Sequence, residues 1–132
     1  MTNLPPRTIR VLVAEDTATG REVVRQHLEG NGFEVVFAED GVVAVDAARP
    51  GGFDVILMDL RMPRMDGFEA IRLIRADEQA QGRPRTPIVV ISANSDSEDV
   101  QNSMGAGADA HIPKPVKRMD VLGAVLEFAQ RE

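Results

Sequence analysis

The sequence predicts an α/β domain on a five-stranded parallel sheet, doubly wound in the order 2-1-3-4-5, with helices on both faces. Three observations predict it. Short apolar runs alternate with helical patterns five times along 132 residues. The runs "IRVLVA", "DVILMD" and "TPIVVISA" are apolar almost throughout, as strands covered on both faces are, rather than alternating. No repeat or low-complexity segment interrupts the pattern, and a chain of this length with 43% hydrophobic residues suits one domain. In the 2-1-3-4-5 order the first and third strands lie side by side where the winding reverses.

Each element has its own signal. The opening "MTNLPPRT" is polar, carries a Pro-Pro pair and is expected to be a disordered tail over residues 1–8, leaving 9–132 as the domain. Ile9 to Ala14 form the first strand, which ends in Glu15 and Asp16. A capping box from Thr19 to Glu22 opens the first helix, whose apolar side runs through Val24 and Leu28 and which closes at Gly30 or Gly32. "FEVVFA" is the second strand; the helix after it opens near Asp40 and stops at Pro50-Gly51-Gly52.

The third strand ends on Asp59, and Asp66 reads as a turn residue before Gly67. Phe68, Ile71 and Ile74 mark one side of the third helix. The fourth strand reaches Ser92; Ser95 with Glu98 cap the fourth helix, where Val100 and Met104 lie one turn apart. "ADAHIPKP" holds a brief fifth strand, and Met119, Leu122, Leu126 and Ala129 are expected on one side of the last helix. The methionines Met58, Met62, Met65, Met104 and Met119 read as core filler or loop packing. His27 reads as a surface residue of the first helix, and Arg61, Arg64, Arg83 and Arg85 as scattered loop cations.

Composition narrows the function. A formal net charge of -6 argues against direct contact with nucleic acid or an acidic membrane, so proteins are the expected partners. Cysteine is absent, which excludes disulfides and thiolate metal sites. The start has no signal-peptide core and no apolar run approaches a membrane span, so a cytoplasmic location is expected.

The chemistry concentrates at strand ends. Sites in such sheets form at the carboxyl ends beside the winding reversal, where Glu15, Asp16 and Asp59 meet. Two of these charges about 4 Å apart repel by roughly 4 kcal/mol at an effective dielectric near 20, so something cationic is expected. Oxygen ligands with room for water and phosphate favour Mg²⁺ over Ca²⁺. The later strands add the hydroxyl of Ser92 and the ammonium of Lys114, set between Pro113 and Pro115. Such a set suits phosphoryl transfer, which needs positioning and charge neutralisation, and a carboxylate can serve as the nucleophile.

The motifs "VLVAED", "DVILMDLRMPRMDG", "VVISA" and "HIPKP", in this order, resemble the response-regulator receiver domains of two-component signalling, which share the flavodoxin-like sheet. The resemblance implies that Asp59 accepts a phosphoryl group from the histidine of a kinase or phosphotransfer protein. It implies that Glu15, Asp16, Asp59 and the backbone carbonyl of Arg61 serve Mg²⁺, that Ser92 and Lys114 hold the phosphoryl oxygens, and that Lys114-Pro115 is cis. Arg61 and Asn94 would tune hydrolysis, and partners would dock near Ala18 and Pro115. The wording looks closest to receivers attached to hybrid kinases.

The switch residue in this family is usually Phe or Tyr; here it is His111, which reads equally as a structural histidine or as a switch with Ser92. Helix four, strand five and helix five, including Met104, His111 and Met119, would form the output face. Two other readings compete. A pseudo-receiver would lack the acid set, which is complete here. A phosphatase with an aspartyl nucleophile would want a second aspartate where Arg61 stands. The expected role is therefore a signalling phosphoacceptor that catalyses its own phosphorylation and slow hydrolysis.

Overall fold

The computed structural model describes residues 8–93 and 97–129. Its elements run β1 (Arg10–Ala14), α1 (Ala18–Leu28), β2 (Glu34–Ala38), α2 (Gly41–Ala48), β3 (Val55–Asp59), α3 (Gly67–Gln81), β4 (Ile88–Ser92), α4 (Ser97–Ala106), β5 (Ala110–Pro113) and α5 (Arg118–Ala129). The five strands are parallel in the order β2-β1-β3-β4-β5, as predicted. Residues 1–7, most of the expected tail, lie outside the described residues.

Successive side chains of a strand point to opposite faces, and both faces are covered. Leu12, Ile56, Met58 and Val90 join Ala44, Val45, Ile71 and Ile74 in one core. Val11, Val13, Leu57 and Ile91 join Val24, Leu28, Val121, Val125 and Phe128 in the other. This two-sided burial is why the central strands carry no polar alternation.

Helix starts are set by side chains that accept from otherwise unpaired backbone N–H groups. Asp40 caps α2 by accepting from Val43 at 2.9 Å. Asp66, expected only as a turn residue, caps α3 by accepting from Glu69 at 2.9 Å. For α1 the cap is Thr17, not Thr19: its hydroxyl accepts from the Gly20 N–H at 2.9 Å and donates to Glu15 at 2.9 Å. Thr19 falls inside the first turn, because the acid at Glu15 fixes Thr17 two residues earlier. The expected cap at Ser95 lies outside the described residues.

The last helix buries a different side from the expected one. On α5 the buried residues are Val121, Val125, Phe128 and Ala129, whereas Met119 is 86% exposed and Leu126 is exposed. Both stripes are apolar at helical spacing; β1, β3 and α1 select the one that packs. On α4 Met104 is exposed, and the fully buried residue is Ser103, whose hydroxyl donates to the Val100 carbonyl at 2.8 Å. Met58 is core and Met62 and Met65 pack beside it, but Met104 and Met119 are surface residues.

At the amino ends of the strands a second polar cluster closes the sheet. The Arg75 guanidinium pairs with Glu78 and Asp109, each at 2.9 Å, and donates to the carbonyls of Thr86 and Gly107. Glu78 and Asp109 in turn accept from the backbone N–H groups of Thr86 and Ile88. Arg85, expected as a stray loop cation, pairs with Asp109.

Candidate functional site

β1 and β3 are neighbours in register from Val11↔Val55 to Ala14↔Met58, so the residues that follow each strand emerge side by side. One carboxylate oxygen each from Glu15, Asp16 and Asp59 falls within 4.8 Å of the others. Glu15 and Asp59 are buried, Asp59 to 4% exposure, and Asp16 is half-buried. Lys114 reaches in from beyond β5: its Nζ donates to Asp59 at 3.0 Å and to Glu15 at 3.3 Å. The β5 register carries it there, pairing Ser92 with Pro113, and the Lys114 N–H donates to the Ser92 carbonyl at 3.0 Å. Ser92 is buried at the end of β4, beside the strand that ends in Asp59. The Lys114-Pro115 bond is cis, as the motif implied.

The acids are not equivalent. Burial raises the Asp59 carboxyl, and although Lys114 pulls it down, the neighbouring charge of Glu15 adds to the rise, which reaches about 6. Burial also opposes ionisation of Glu15, but hydrogen bonds from the Thr17 N–H and hydroxyl, with Lys114, outweigh it and hold Glu15 below the usual range. Lys114 is raised: burial lowers it, and the bond to Asp59 and the two acids overcome that. Of the two buried acids, Asp59 is the one whose carboxyl is pushed up.

Backbone packs closely around the carboxylates. A Cβ on Gly20 would sit 2.5 Å from the Glu15 carboxyl carbon, and one on Gly67 would sit 2.3 Å from the Asp59 carbonyl oxygen. Larger residues there would push the acids out of register.

Three acids facing one ammonium leave an excess of negative charge, and they bring three carboxylate oxygens within 4.8 Å of one another, hard ligands for a hard cation. The donor set, carboxylate oxygens without His or Cys, thus fits Mg²⁺.

The loop after β3 is tied to helices on both sides. Its Arg61 N–H donates to Asp59 at 3.3 Å, while the Arg61 guanidinium turns away to Asp99 on α4, at 2.9 and 3.1 Å, over the Phe68 ring. Arg64, at φ 65°, pairs at 2.8 Å with buried Asp40, the α2 cap. These pairs join residues 38 and 24 positions apart, and no local pattern announces them. His27, read as a surface residue, is half-buried and its Nε2 bonds the Val116 carbonyl at 2.9 Å, linking α1 to the loop behind Lys114. His111 is half-buried on β5 opposite Val90, and its Nε2 has no hydrogen-bond partner among the described residues. Asn94 lies outside the described residues.

The response regulator receiver domain model matches residues 11–126, and the chain belongs to that family. A probable histidine kinase of Oryza sativa subsp. indica is 39% identical over 89% of this chain, which spans only 12% of that relative's length. The receiver domain of a sensor histidine kinase from Pseudomonas aeruginosa, with a magnesium ion coordinated in its active-site cleft, is 32% identical, with a TM-score of 0.84 over 95% of this chain and 100% of that one. The receiver domain of Ssk1 from Saccharomyces cerevisiae, solved with the phosphotransfer protein Ypd1, is 26% identical, with a TM-score of 0.88 over 92% of this chain and 89% of that one. The protein is a receiver domain of two-component phosphorelay signalling, a class of signalling phosphoacceptors that pairs with histidine kinases or phosphotransfer proteins.

Proposed function

We propose that Asp59 is the phosphoacceptor and takes its phosphoryl group from the phosphohistidine of a kinase or phosphotransfer protein. The observation that carries this reading is the meeting of Glu15, Asp16 and Asp59 within 4.8 Å, with Lys114 3.0 Å from Asp59. An Asp59 carboxylate oxygen attacks phosphorus, the P–N bond breaks, and the electron pair returns to the imidazole, which takes a proton from solvent. Lys114 and the Ser92 hydroxyl neutralise and orient the phosphoryl oxygens. Glu15, Asp16, Asp59 and the Arg61 carbonyl would hold Mg²⁺, which when bound would supply charge neutralisation for the transfer.

The partner helix docks beside Ala18 and Pro115, and neither nucleic acid nor membrane is contacted directly, in keeping with the net charge of -6. No helix among the described residues is long and apolar enough to cross a membrane, and a cytoplasmic location follows from the partner chemistry. In this reading His111 would be the residue that exchanges surroundings when Ser92 moves toward the phosphoryl group, which its buried Nε2, without a hydrogen-bond partner among the described residues, supports. Hydrolysis, tuned by Arg61 and Asn94, resets the domain.

Incubation with radiolabelled acetyl phosphate tests the reading. Label is expected to enter with Mg²⁺, to be absent with chelator and to be lost in Asp59→Asn; no incorporation at saturating Mg²⁺ defeats it.

A further inference from the structure

We infer that Asp99, on α4, is a positioning residue for the phosphoacceptor site: it holds the Arg61 guanidinium away from the acids so that their excess charge stays available to the metal. The inference rests on the Mg²⁺ site proposed above.

Arg61 stands two residues beyond Asp59, and its own N–H touches Asp59 at 3.3 Å. A flexible, permanently charged side chain therefore starts at the edge of a cluster of three acids that Lys114 neutralises only in part. An unrestrained guanidinium would be drawn there, since its planar fork matches a carboxylate in two parallel hydrogen bonds. Asp99 offers a carboxylate elsewhere and grips the guanidinium through one of its nitrogens. Both of its oxygens accept from Arg61 Nη2, at 3.1 and 2.9 Å, and its carboxylate is 11% exposed whereas the Arg61 side chain is 66% exposed. The buried partner is the fixed one, so Asp99 dictates where Arg61 lies. The Phe68 ring, 5.7 Å from the guanidinium carbon, floors the same position.

The consequence is electrostatic. Within about 6 Å of a divalent ion, a guanidinium charge weakens binding by about tenfold even in water-like surroundings. Releasing Arg61 toward the acids therefore weakens Mg²⁺ binding, although no metal ligand has changed.

Titration calorimetry with MgCl₂ on four proteins tests this: wild type, Asp99→Asn, Arg61→Gln and the double variant, with Asp99→Glu as the conservative control. Asp99→Asn is expected to weaken Mg²⁺ binding about three- to tenfold, Asp99→Glu to restore most of the loss, and Asp99→Asn to have no effect when Arg61 is already Gln. Thermal unfolding of each variant separates a general loss of structure, which would persist in the double variant. Equal weakening with and without Arg61, or unchanged affinity in Asp99→Asn, overturns the inference and leaves the proposed function standing. A wild-type protein that binds no Mg²⁺ overturns both.

Discussion

Two groups of partly or wholly buried charge sit at opposite ends of the same sheet. At the amino ends, Arg75 and Arg85 face Glu78 and Asp109: two cations against two acids, which also accept from the Thr86 and Ile88 backbone N–H groups. At the carboxyl ends, the carboxylates of Glu15, Asp16 and Asp59 gather in one place, and among the described residues the cation that ion-pairs with them is Lys114. The first group is balanced in charge and well supplied with hydrogen bonds, and its work is to join α3 to the loops before β4 and β5. The second is left with excess negative charge, and one of its acids is pushed up to about 6. A folded protein keeps such an imbalance only at a cost in stability, and that cost is characteristic of a site awaiting a ligand.

Breaking the balanced cluster should have the largest effect. Arg75→Met leaves buried Glu78 without its ion pair and is expected to destabilise the domain by about 3–5 kcal/mol in urea unfolding. Removing charge from the unbalanced cluster should do the opposite. The folded Asp59 carboxyl lies above its ordinary 3.8, so protonation favours the folded state, and wild type without metal loses stability as pH rises from about 4 through about 6. Asp59→Asn is therefore expected to raise stability by about 1–3 kcal/mol at pH 7 and by little at pH 4, while abolishing phosphorylation. Equal stability of the two proteins at pH 7 would show that the site carries no such strain.

A titration sharpens the same contrast. Below about 6 the Asp59 proton competes with the cation, so Mg²⁺ affinity should fall by up to about tenfold per pH unit in calorimetry, with proton release on binding. The smallest effect belongs to neither cluster. Asp66→Ala removes the α3 cap and should cost about 1 kcal/mol, leaving acetyl-phosphate labelling in place.

The carboxyl-end site was legible in the sequence because each of its members closes a strand. Once the strand order is known, Glu15, Asp16, Asp59, Ser92 and Lys114 must converge on one end. The amino-end cluster had no such signal. Arg75 lies mid-helix and Asp109 in a loop 34 residues away, and nothing local distinguishes them from solvated charges. The same holds for Arg61 with Asp99, Arg64 with Asp40 and His27 with Val116. A pairing across elements is written in neither partner's neighbourhood. Thr17 was displaced by Thr19 for a related reason: both precede a helical pattern, and the contact with Glu15 selects between them.

By itself, then, the amino-acid order determined the alternation of strands and helices, the two-sided burial of the sheet and the residues at its carboxyl ends, because periodicity and strand termini are local properties. Only the tertiary structure decided which apolar stripe of α5 is buried and which acid each loop arginine takes, because both choices are made by distant surfaces competing for the same side chain.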